Sequence, residues 1–281
     1  MEPQDRLCPP ERRVNSLVDI SANLSAIFFD QFGVLHDGFK AYPTAITCCE
    51  ALAKQGKPLV LISNSGKRAA RNQARLATLG FDPAWFASVI TSGELAFHHL
   101  SAALATGELK EGAKILLLSR GGDTTPLDGL PLQASDDPVK ADLFLIAGIE
   151  ADLGLTHYQK RIAEIAPYNL PALCINPDTH SFTPDGVTFG PGRLAMEYRA
   201  LGGDVTFLGK PHLSVFEAAR AAVGKPAAAE CLMVGDSLLH DIEGAHAAGL
   251  QTCLIAAGVF GEDSEALKRA PLPDYWMEVL A

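Results

Sequence analysis

The sequence predicts an α/β protein in which short buried strands alternate with helices. Three observations support this: apolar runs that do not alternate with polar residues, helix-like segments between those runs, and glycines where the helical segments end. A strand covered by helices on both faces is apolar throughout, whereas a half-exposed strand alternates. A succession of such strands and helices is typical of a parallel sheet.

The predicted strands are eight apolar runs spread over most of the chain. Their continuity indicates burial on both faces. In chain order they are residues 26–29, 59–62, 115–118, 143–146, 172–175, 205–208, 232–234 and 252–255.

Between these runs lie the predicted helices, which include residues 44–54, 67–79, 156–166 and 213–223. Thr156 with Gln159, and Ser214 with Glu217, have the spacing of a capping box, which predicts helix starts there. A glycine in the left-handed conformation commonly ends a helix. The glycines predicted to do so are Gly56, Gly80, Gly224 and Gly249.

Composition narrows the class of protein. The chain has 281 residues, 48% hydrophobic content and a net charge of −10. The acidic balance excludes non-specific binding to nucleic acid or to an anionic membrane as the expected function. No apolar run approaches the roughly 20 residues of a membrane-spanning helix, and the first residues lack the apolar core of a secretory signal. Six cysteines without paired spacing are expected to be reduced, so we expect a cytoplasmic protein.

Polar residues follow four of the apolar runs. Asp30 follows the first, Ser63 to Ser65 end the second, Lys210 follows the run at 205–208, and Asp236 and Asp241 follow the run at 232–234. In an open α/β sheet the ligand crevice lies outside the carboxyl ends of the strands. We therefore expect these side chains to meet there.

This set of groups matches the needs of phosphoryl transfer. One carboxylate attacks phosphorus, and a second joins it in holding Mg²⁺, which prefers oxygen ligands. The hydroxyl and nearby N–H groups bind the phosphate, and the ammonium balances the charge.

The sequence resembles the haloacid dehalogenase-like hydrolase superfamily, within it the class IIA branch of NagD-type phosphatases. The matching segments are FFDQFGVLHDG at 28–38, LISNS at 61–65, GKPH at 209–212 and VGDSLLHDIEGAHAAG at 234–249. The segment from Cys174 to His212 also resembles the return from the cap to the core in this branch.

The resemblance implies a Rossmann-like core with a parallel sheet, residues 1–92 and 195–281, split by an inserted α/β cap of the C2 type, residues 93–194. It also implies a role for each matching residue. Asp30 would be the nucleophile and a metal ligand, and Lys210 would orient and neutralise. Ser63, with Asn64 and Ser65 beside it, would bind phosphate. The Mg²⁺ ligands would be Asp30, the backbone carbonyl of Phe32, Asp236 and Asp241.

Phe32 departs from the phosphatase pattern. Phosphatases that the chain resembles usually carry a second aspartate at this position, which protonates the leaving oxygen and then activates water. General acid–base help is worth roughly 10²–10⁴-fold in rate. The sequence therefore predicts slow turnover, a substrate with a good leaving group, or a substitute acid among Asp37, His36 and Asp178. His36 is expected to position the loop.

Three other functions compete with the phosphatase. An aromatic residue at this position also resembles the dehalogenases, which need no metal, but those lack the Gly235–Asp236 pair. Phosphonate hydrolases use a cap lysine as a Schiff base, and no lysine here lies in such a motif. A non-catalytic phosphate-binding or regulatory protein would also tolerate Phe32.

The substrate class expected is a small phosphorylated metabolite, with no nucleic acid or membrane partner. Specificity would come from two turn-rich stretches, residues 121–137 and 176–192, in which Asn176 and Asp178 are the candidate substrate-binding residues. A homodimer is an expectation from the resemblance alone.

Overall fold

The structure is a computed structural model that describes residues 6–183, 186–258 and 270–281, with the backbone alone for residues 151 and 181–187. Strands and helices alternate, so the predicted α/β fold is confirmed. The strands are β1 (Ala26–Phe29), β2 (Leu59–Ser63), β3 (Phe86–Thr91), β4 (Lys114–Leu118), β5 (Gln133–Ser135), β6 (Leu143–Ile146), β7 (Ala172–Cys174), β8 (His180–Thr183), β9 (Gly186–Phe189), β10 (Val205–Phe207), β11 (Cys231–Gly235), β12 (Gln251–Ile255) and β13 (Tyr275–Met277).

The α-helices lie between these strands and cover their faces. In chain order they are α1 (Leu17–Ile20), α2 (Pro43–Lys54), α3 (Ala69–Thr78), α4 (Ser92–Thr106), α5 (Leu155–Ile165), α6 (Pro191–Ala200), α7 (Leu213–Ala222) and α8 (Gly244–Ala247). A π-helical turn, Leu238–Glu243, precedes α8.

All eight predicted apolar runs form strands. Of the strands that the pattern missed, β13 is a three-residue apolar run, and the others lack a continuous apolar run. For example, β3 alternates between buried and exposed residues, and β5 is a short Gln-Ala-Ser segment on the surface. Such strands are defined by their pairing partners rather than by their own composition.

The two predicted capping boxes are wrong. Helix α5 begins at Leu155 after Gly154, and α7 begins at Leu213 after His212, in both cases without a side-chain cap. Thr156 and Ser214 are therefore already helical, whereas an N-cap residue needs an extended backbone. The four predicted helix-ending glycines do adopt the left-handed conformation, with φ between +72° and +98°.

One compact unit comprises residues 1–63, 70–90 and 210–281. Its sheet has the strand order β13-β12-β11-β1-β2-β3, and the pairings from β13 to β2 are parallel. Strand β1 is buried throughout and lies between β11 and β2. Phe29 is in register with both Val234 and Leu61, so these three strands end side by side.

The second compact unit comprises residues 64–69 and 91–209. Its parallel sheet has the order β10-β7-β6-β4-β5, and an antiparallel hairpin, β8–β9, accompanies it. One apolar cluster joins α4 to one face of the sheet, around Leu100 and Leu145. A second cluster joins α5 and α6 to the other face, around Tyr158 and Tyr198.

The bounds of the units differ from the predicted core and cap. Residues 195–209 belong to the second unit, because α6 packs in its core and β10 pairs with β7. The run at 205–208 therefore ends a strand of the second sheet, and only three of the four predicted strand ends share one sheet. Lys210 itself begins the next segment of the first unit.

No helix in the described part of the chain is both long and apolar enough to cross a membrane. All six cysteines are free thiols.

Candidate active site

Asp30 is the first residue beyond the buried strand β1. Its backbone N–H donates to the carbonyl of Val234 at 2.9 Å, which extends the β1–β11 ladder to the carboxylate. The four residues of β1 are apolar and fully buried, and Asp30 is the first polar side chain beyond them. The Asp30 side chain is 15% exposed at this edge of the sheet.

Lys210 lies between two carboxylates. Its Nζ is 2.7 Å from Oδ1 of Asp30 and 2.6 Å from Oδ1 of Asp241. The Lys210 side chain is 3% exposed and that of Asp241 is fully buried. A buried charge is tolerated only with such partners, so the fold fixes the ammonium beside Asp30.

Asp236 and Asp241 flank the turn after β11. Both are buried, and Oδ2 of Asp241 accepts a hydrogen bond from the Ser237 N–H at 3.0 Å. Ser237 also caps the π-helical turn by accepting from the His240 N–H. The turn thereby holds both aspartates beside the end of β1.

Three glycines make room for these aspartates. A Cβ on Gly33, where φ is +79°, would lie 1.9 Å from Oδ2 of Asp236. A Cβ on Gly258 would lie 2.2 Å from Cβ of Asp236, and one on Gly235 would lie 2.2 Å from Cγ of Asp241. Real side chains do not approach so closely, so glycine is required on three sides of the acidic pair.

The acidic cluster fits a hard divalent cation. Asp30, Asp236 and Asp241 each offer a carboxylate oxygen, and these oxygens lie within 4.8 Å of one another. Mg²⁺ is commonly held by one or two carboxylates together with water and phosphate oxygens. Gly33 and Gly258, which we call the glycine cradle, leave room for the Asp236 carboxylate in this cluster, so the residues present fit the ion.

Burial and charge perturb the groups of the site. Burial raises the pKa of Asp30 to about 7, and Asp241 adds to this, while the Lys210 ammonium opposes it. Burial disfavours the charged form of Lys210, but the two carboxylates outweigh it and raise the pKa of Lys210 above its usual range. The lysine is therefore a fixed positive charge and a poor proton donor at neutral pH.

Ser63 ends β2, beside the end of β1 in the parallel sheet. The other predicted substrate-binding residues belong to the second unit. There Asn64 Nδ2 donates to Oδ1 of Asp178 at 2.7 Å, and the Asp178 N–H donates to Oδ1 of Asn176 at 3.2 Å. Ser65 Oγ accepts from the Lys67 N–H in the same unit.

Phe32 lies two residues beyond Asp30 with 41% of its surface exposed. Its ring meets the His36 ring edge to face, with centroids 6.3 Å apart. His36 Nδ1 accepts from the Gly38 N–H at 3.0 Å, and burial, followed by the charge of Arg75, lowers the pKa of His36 to about 4. His36 is therefore a neutral, buried residue of the loop.

Asp37 is occupied by its own turn. Its Oδ1 accepts from the N–H groups of Lys40 and Phe39, both at 2.7 Å. These hydrogen bonds lower the pKa of Asp37, so the carboxyl group is ionised at neutral pH and cannot donate a proton.

The sequence reasoning missed the roles of Gly33 and Gly258. Gly33 stands in the first motif, where a glycine within FFDQFG could have suggested a tight turn. Nothing in the sequence indicated the role of Gly258, because this glycine is distant from Asp236 in the sequence and only the fold brings the two residues together.

Two sequence profiles match the chain. The profile described as haloacid dehalogenase-like hydrolase matches residues 27–132, and that described as HAD-hydrolase-like matches residues 207–281. Among curated proteins, human chronophin is 28% identical over 280 residues, which cover 95% of this chain and 94% of chronophin.

Solved structures of the same class superpose on the chain. A haloacid dehalogenase-like hydrolase from Brucella suis 1330 has a TM-score of 0.81 at 25% identity, covering 95% of this chain and all of its own. The Mycobacterium tuberculosis glycerol phosphate phosphatase in complex with magnesium has a TM-score of 0.67 at 25% identity, covering 92% and 76%. NagD from Escherichia coli K-12 has a TM-score of 0.66 at 24% identity, covering 91% and 96%.

The matched profiles contain Asp30 and Ser63 in one region and Lys210, Asp236 and Asp241 in the other. The resemblance stated from the sequence motifs is thus confirmed by independent comparisons. The chain belongs to the haloacid dehalogenase-like hydrolase family and has the fold of its NagD-type branch.

Proposed function

We propose that the protein is a Mg²⁺-dependent phosphatase that hydrolyses a small phosphorylated metabolite through a phosphoryl-Asp30 intermediate. The observation that carries the proposal is the gathering of Asp30, Lys210, Asp236 and Asp241 at one edge of the first unit's sheet. The similarity to the Mycobacterium tuberculosis glycerol phosphate phosphatase, solved in complex with magnesium, supports this class.

In the first step, an oxygen of Asp30 attacks phosphorus and the bond from phosphorus to the leaving oxygen breaks. The electron pair of that bond departs with the leaving group. Lys210 stays bound to the attacking side chain and offsets negative charge as it spreads over the phosphoryl oxygens. Ser63 is proposed to donate a hydrogen bond to one of these oxygens.

In the second step, water attacks phosphorus, and the bond from phosphorus to Asp30 breaks. This releases inorganic phosphate and restores the carboxylate. When bound, Mg²⁺ would supply positive charge that favours ionised carboxylates and offsets the negative charge of the phosphoryl group. Asp236 and Asp241 would hold it with Asp30 and the Phe32 carbonyl.

Three residues of the loop after β1 provide no protonated acid for the leaving group. Phe32 has no proton to give, His36 is neutral and buried, and Asp37 is ionised. We therefore propose that the preferred substrates are phosphate compounds whose leaving group is stable as an anion. Asp178 of the second unit stays the one predicted substitute that this geometry does not address.

The paired aspartates after β11 favour this function over the alternatives raised by Phe32. A metal-free dehalogenase has no need of the buried pair Asp236 and Asp241, around which three glycines leave room. A binding protein without turnover is distinguished by experiment. The cytoplasmic location and the homodimer stay predictions.

The test is phosphate release from a panel of aryl, acyl and alkyl phosphates with Mg²⁺ or with a chelator. We expect release from the aryl and acyl compounds that depends on Mg²⁺ and is lost in Asp30→Asn. Asp19→Asn, the same change at an exposed position of α1, is the matched control and should keep full activity. Equal activity in Asp30→Asn and the wild type would refute the role of Asp30.

A further inference from the structure

The second unit contains a crevice of its own. Its volume is about 250 Å³, slightly below the roughly 300–1,000 Å³ of pockets for drug-sized ligands, so it suits a small metabolite or part of one. All of the residues that line it belong to this unit.

The topology of the second sheet explains why a crevice opens there. After β4 the chain turns to the face covered by α4, where Leu127 packs in the apolar cluster. After the neighbouring strand β6 it turns to the opposite face, where Ile149 and α5 pack. Adjacent parallel strands whose connections leave to opposite faces form a topological switch point, and ligands of open α/β sheets bind at such points.

The lining comes from the loops at this switch point. Ser119 and Arg120 follow β4, and residues 147–149 follow β6. The N–H groups of Ala147 and Gly148 both donate to the carbonyl of Leu118, at 2.8 and 3.1 Å, which fixes the two loops to each other.

Two glycines allow the loops to approach closely. A Cβ on Gly148 would lie 3.0 Å from the Arg120 nitrogen, and one on Gly66 would lie 2.9 Å from the Ala147 carbonyl oxygen. The crevice is therefore built from three backbones in contact rather than left between loosely packed side chains.

The charges and polar groups of the lining indicate the chemistry of the occupant. Among the lining residues, Lys67 and Arg120 are positively charged and Asp123 is negatively charged, so the lining itself is net positive on a chain of net charge −10. The Arg120 side chain is 84% exposed, and its Nε is 4.0 Å from Oε2 of Glu150, so the guanidinium keeps further N–H donors for a carboxylate. The neutral polar groups of the lining are Ser65, Ser119, Asn176 and Thr188.

We propose that this crevice binds a small organic anion that also carries hydroxyl groups, of the hydroxycarboxylate class. The anion would pair with Arg120 and Lys67, and the hydroxyls would bond to Asp123 and the neutral polar groups. Such a molecule is either a separate effector or, if the proposed function holds, the leaving group of an acyl phosphate, which departs as a stable carboxylate. Binding itself requires neither Asp30 nor turnover.

The test is calorimetric titration of the full-length protein with D-glycerate, with glycerol and propionate as matched probes. Glycerol has the hydroxyls without the charge, and propionate has the charge without the hydroxyls. We expect glycerate to bind at millimolar concentration and both other probes to bind at least about tenfold more weakly. Absence of glycerate binding, or equal binding of all three probes, would overturn the proposal.

Variants locate the binding. Arg120→Gln and Lys67→Gln should each weaken glycerate binding about tenfold or more, while Lys160→Gln, the control at an exposed position of α5, should not. Circular dichroism checks that each variant is folded. Unchanged binding in both crevice variants would place glycerate elsewhere and refute the assignment.

The source of the ligand is read from kinetics. If glycerate raises KM for an aryl phosphate without changing kcat, the crevice holds the leaving group. If it changes kcat at saturating substrate, the crevice holds an effector. Asp30→Asn should bind glycerate like the wild type, so failure of the proposed catalysis and failure of this site give different results.

Discussion

Phe32 is the residue that distinguishes this site most from a fully equipped phosphatase. It exposes a large aromatic surface two residues from the proposed nucleophile, Asp30, and neither His36 nor Asp37 can replace an acid there. Both steps of the proposed reaction therefore proceed without a proton carrier from this loop. The consequence is a dependence of rate on the leaving group.

Replacing Phe32 by aspartate should supply the missing acid. We expect Phe32→Asp to raise kcat/KM for an alkyl phosphate by roughly 10²-fold or more, with a much smaller effect on an aryl phosphate. The measurement is phosphate release from both substrates, and Phe32→Asn is the matched control without a proton to transfer. No gain in Phe32→Asp with intact Mg²⁺ binding would show that another residue already provides the acid.

His36 should make stability depend on pH. Its pKa of about 4 in the folded state lies below the ordinary value of 6.5, so the unfolded chain binds the proton more readily. The free energy of unfolding should therefore fall as pH is lowered from about 6.5 to about 4. His36→Asn, which keeps an acceptor for the Gly38 N–H, should flatten this part of the profile in urea titrations. A parallel slope in the two proteins would contradict the account.

Individual site residues could be predicted from the sequence where a polar residue follows an apolar run. Asp30, Asp236 and Asp241 were predicted in this way, and the structure brings them together. The hydrogen bonds that His36 and Asp37 accept within their loop could not be predicted, because they depend on the geometry of the turn.

The element that forms the site is the pair of loops after β1 and β11. Register between these strands places Asp30 beside the turn that carries Asp236, and glycine at position 33 lets the two loops meet. The run pattern predicted both strands, but it also placed the run before Lys210 in the same sheet. That strand, β10, pairs with β7 of the second sheet instead. The prediction was wrong because an apolar run does not show which strand it pairs with.

Gly33→Ala should lower the affinity for Mg²⁺ as well as strain the backbone. The new Cβ would overlap the Asp236 carboxylate, so we expect Mg²⁺ affinity to fall about 10–100-fold. Gly56→Ala is the control: its φ is also left-handed, at +72°, but its Cβ would meet nothing within 4 Å. That variant should lose about 1–2 kcal/mol of stability and keep its Mg²⁺ affinity. Equal Mg²⁺ affinities by calorimetry in the two variants would refute the cradle.

Across the whole molecule, Lys210 joins segments that are far apart in the chain. Its ammonium bridges Asp30, at the end of β1, and Asp241, after β11. All of the second unit lies between residues 63 and 210 in the sequence, and residues 70–90 of that stretch belong to the first unit. The family resemblance of the sequence motifs implied an inserted unit. Its bounds could not be read from the sequence, because α6 and β10 look like ordinary core elements.

Lys210→Met should destabilise the fold, because two buried carboxylates would lose their shared partner. We expect the free energy of unfolding at pH 8 to fall by about 3–5 kcal/mol. Lys54→Met removes an ion pair that is exposed, with a lysine side chain 72% accessible, and should cost less than about 1 kcal/mol. Similar costs in urea denaturation would contradict the structural role of Lys210.

The most direct measurement is the location of the phosphoryl group during turnover of 4-nitrophenyl phosphate with Mg²⁺. Without a base at position 32 to activate water, the second step should be slow and the intermediate should accumulate. Acid quenching and peptide mapping should then find the phosphoryl group on Asp30, with a matching initial burst of 4-nitrophenol. A phosphoryl group on another residue, or an equal burst from Asp30→Asn, would contradict the account.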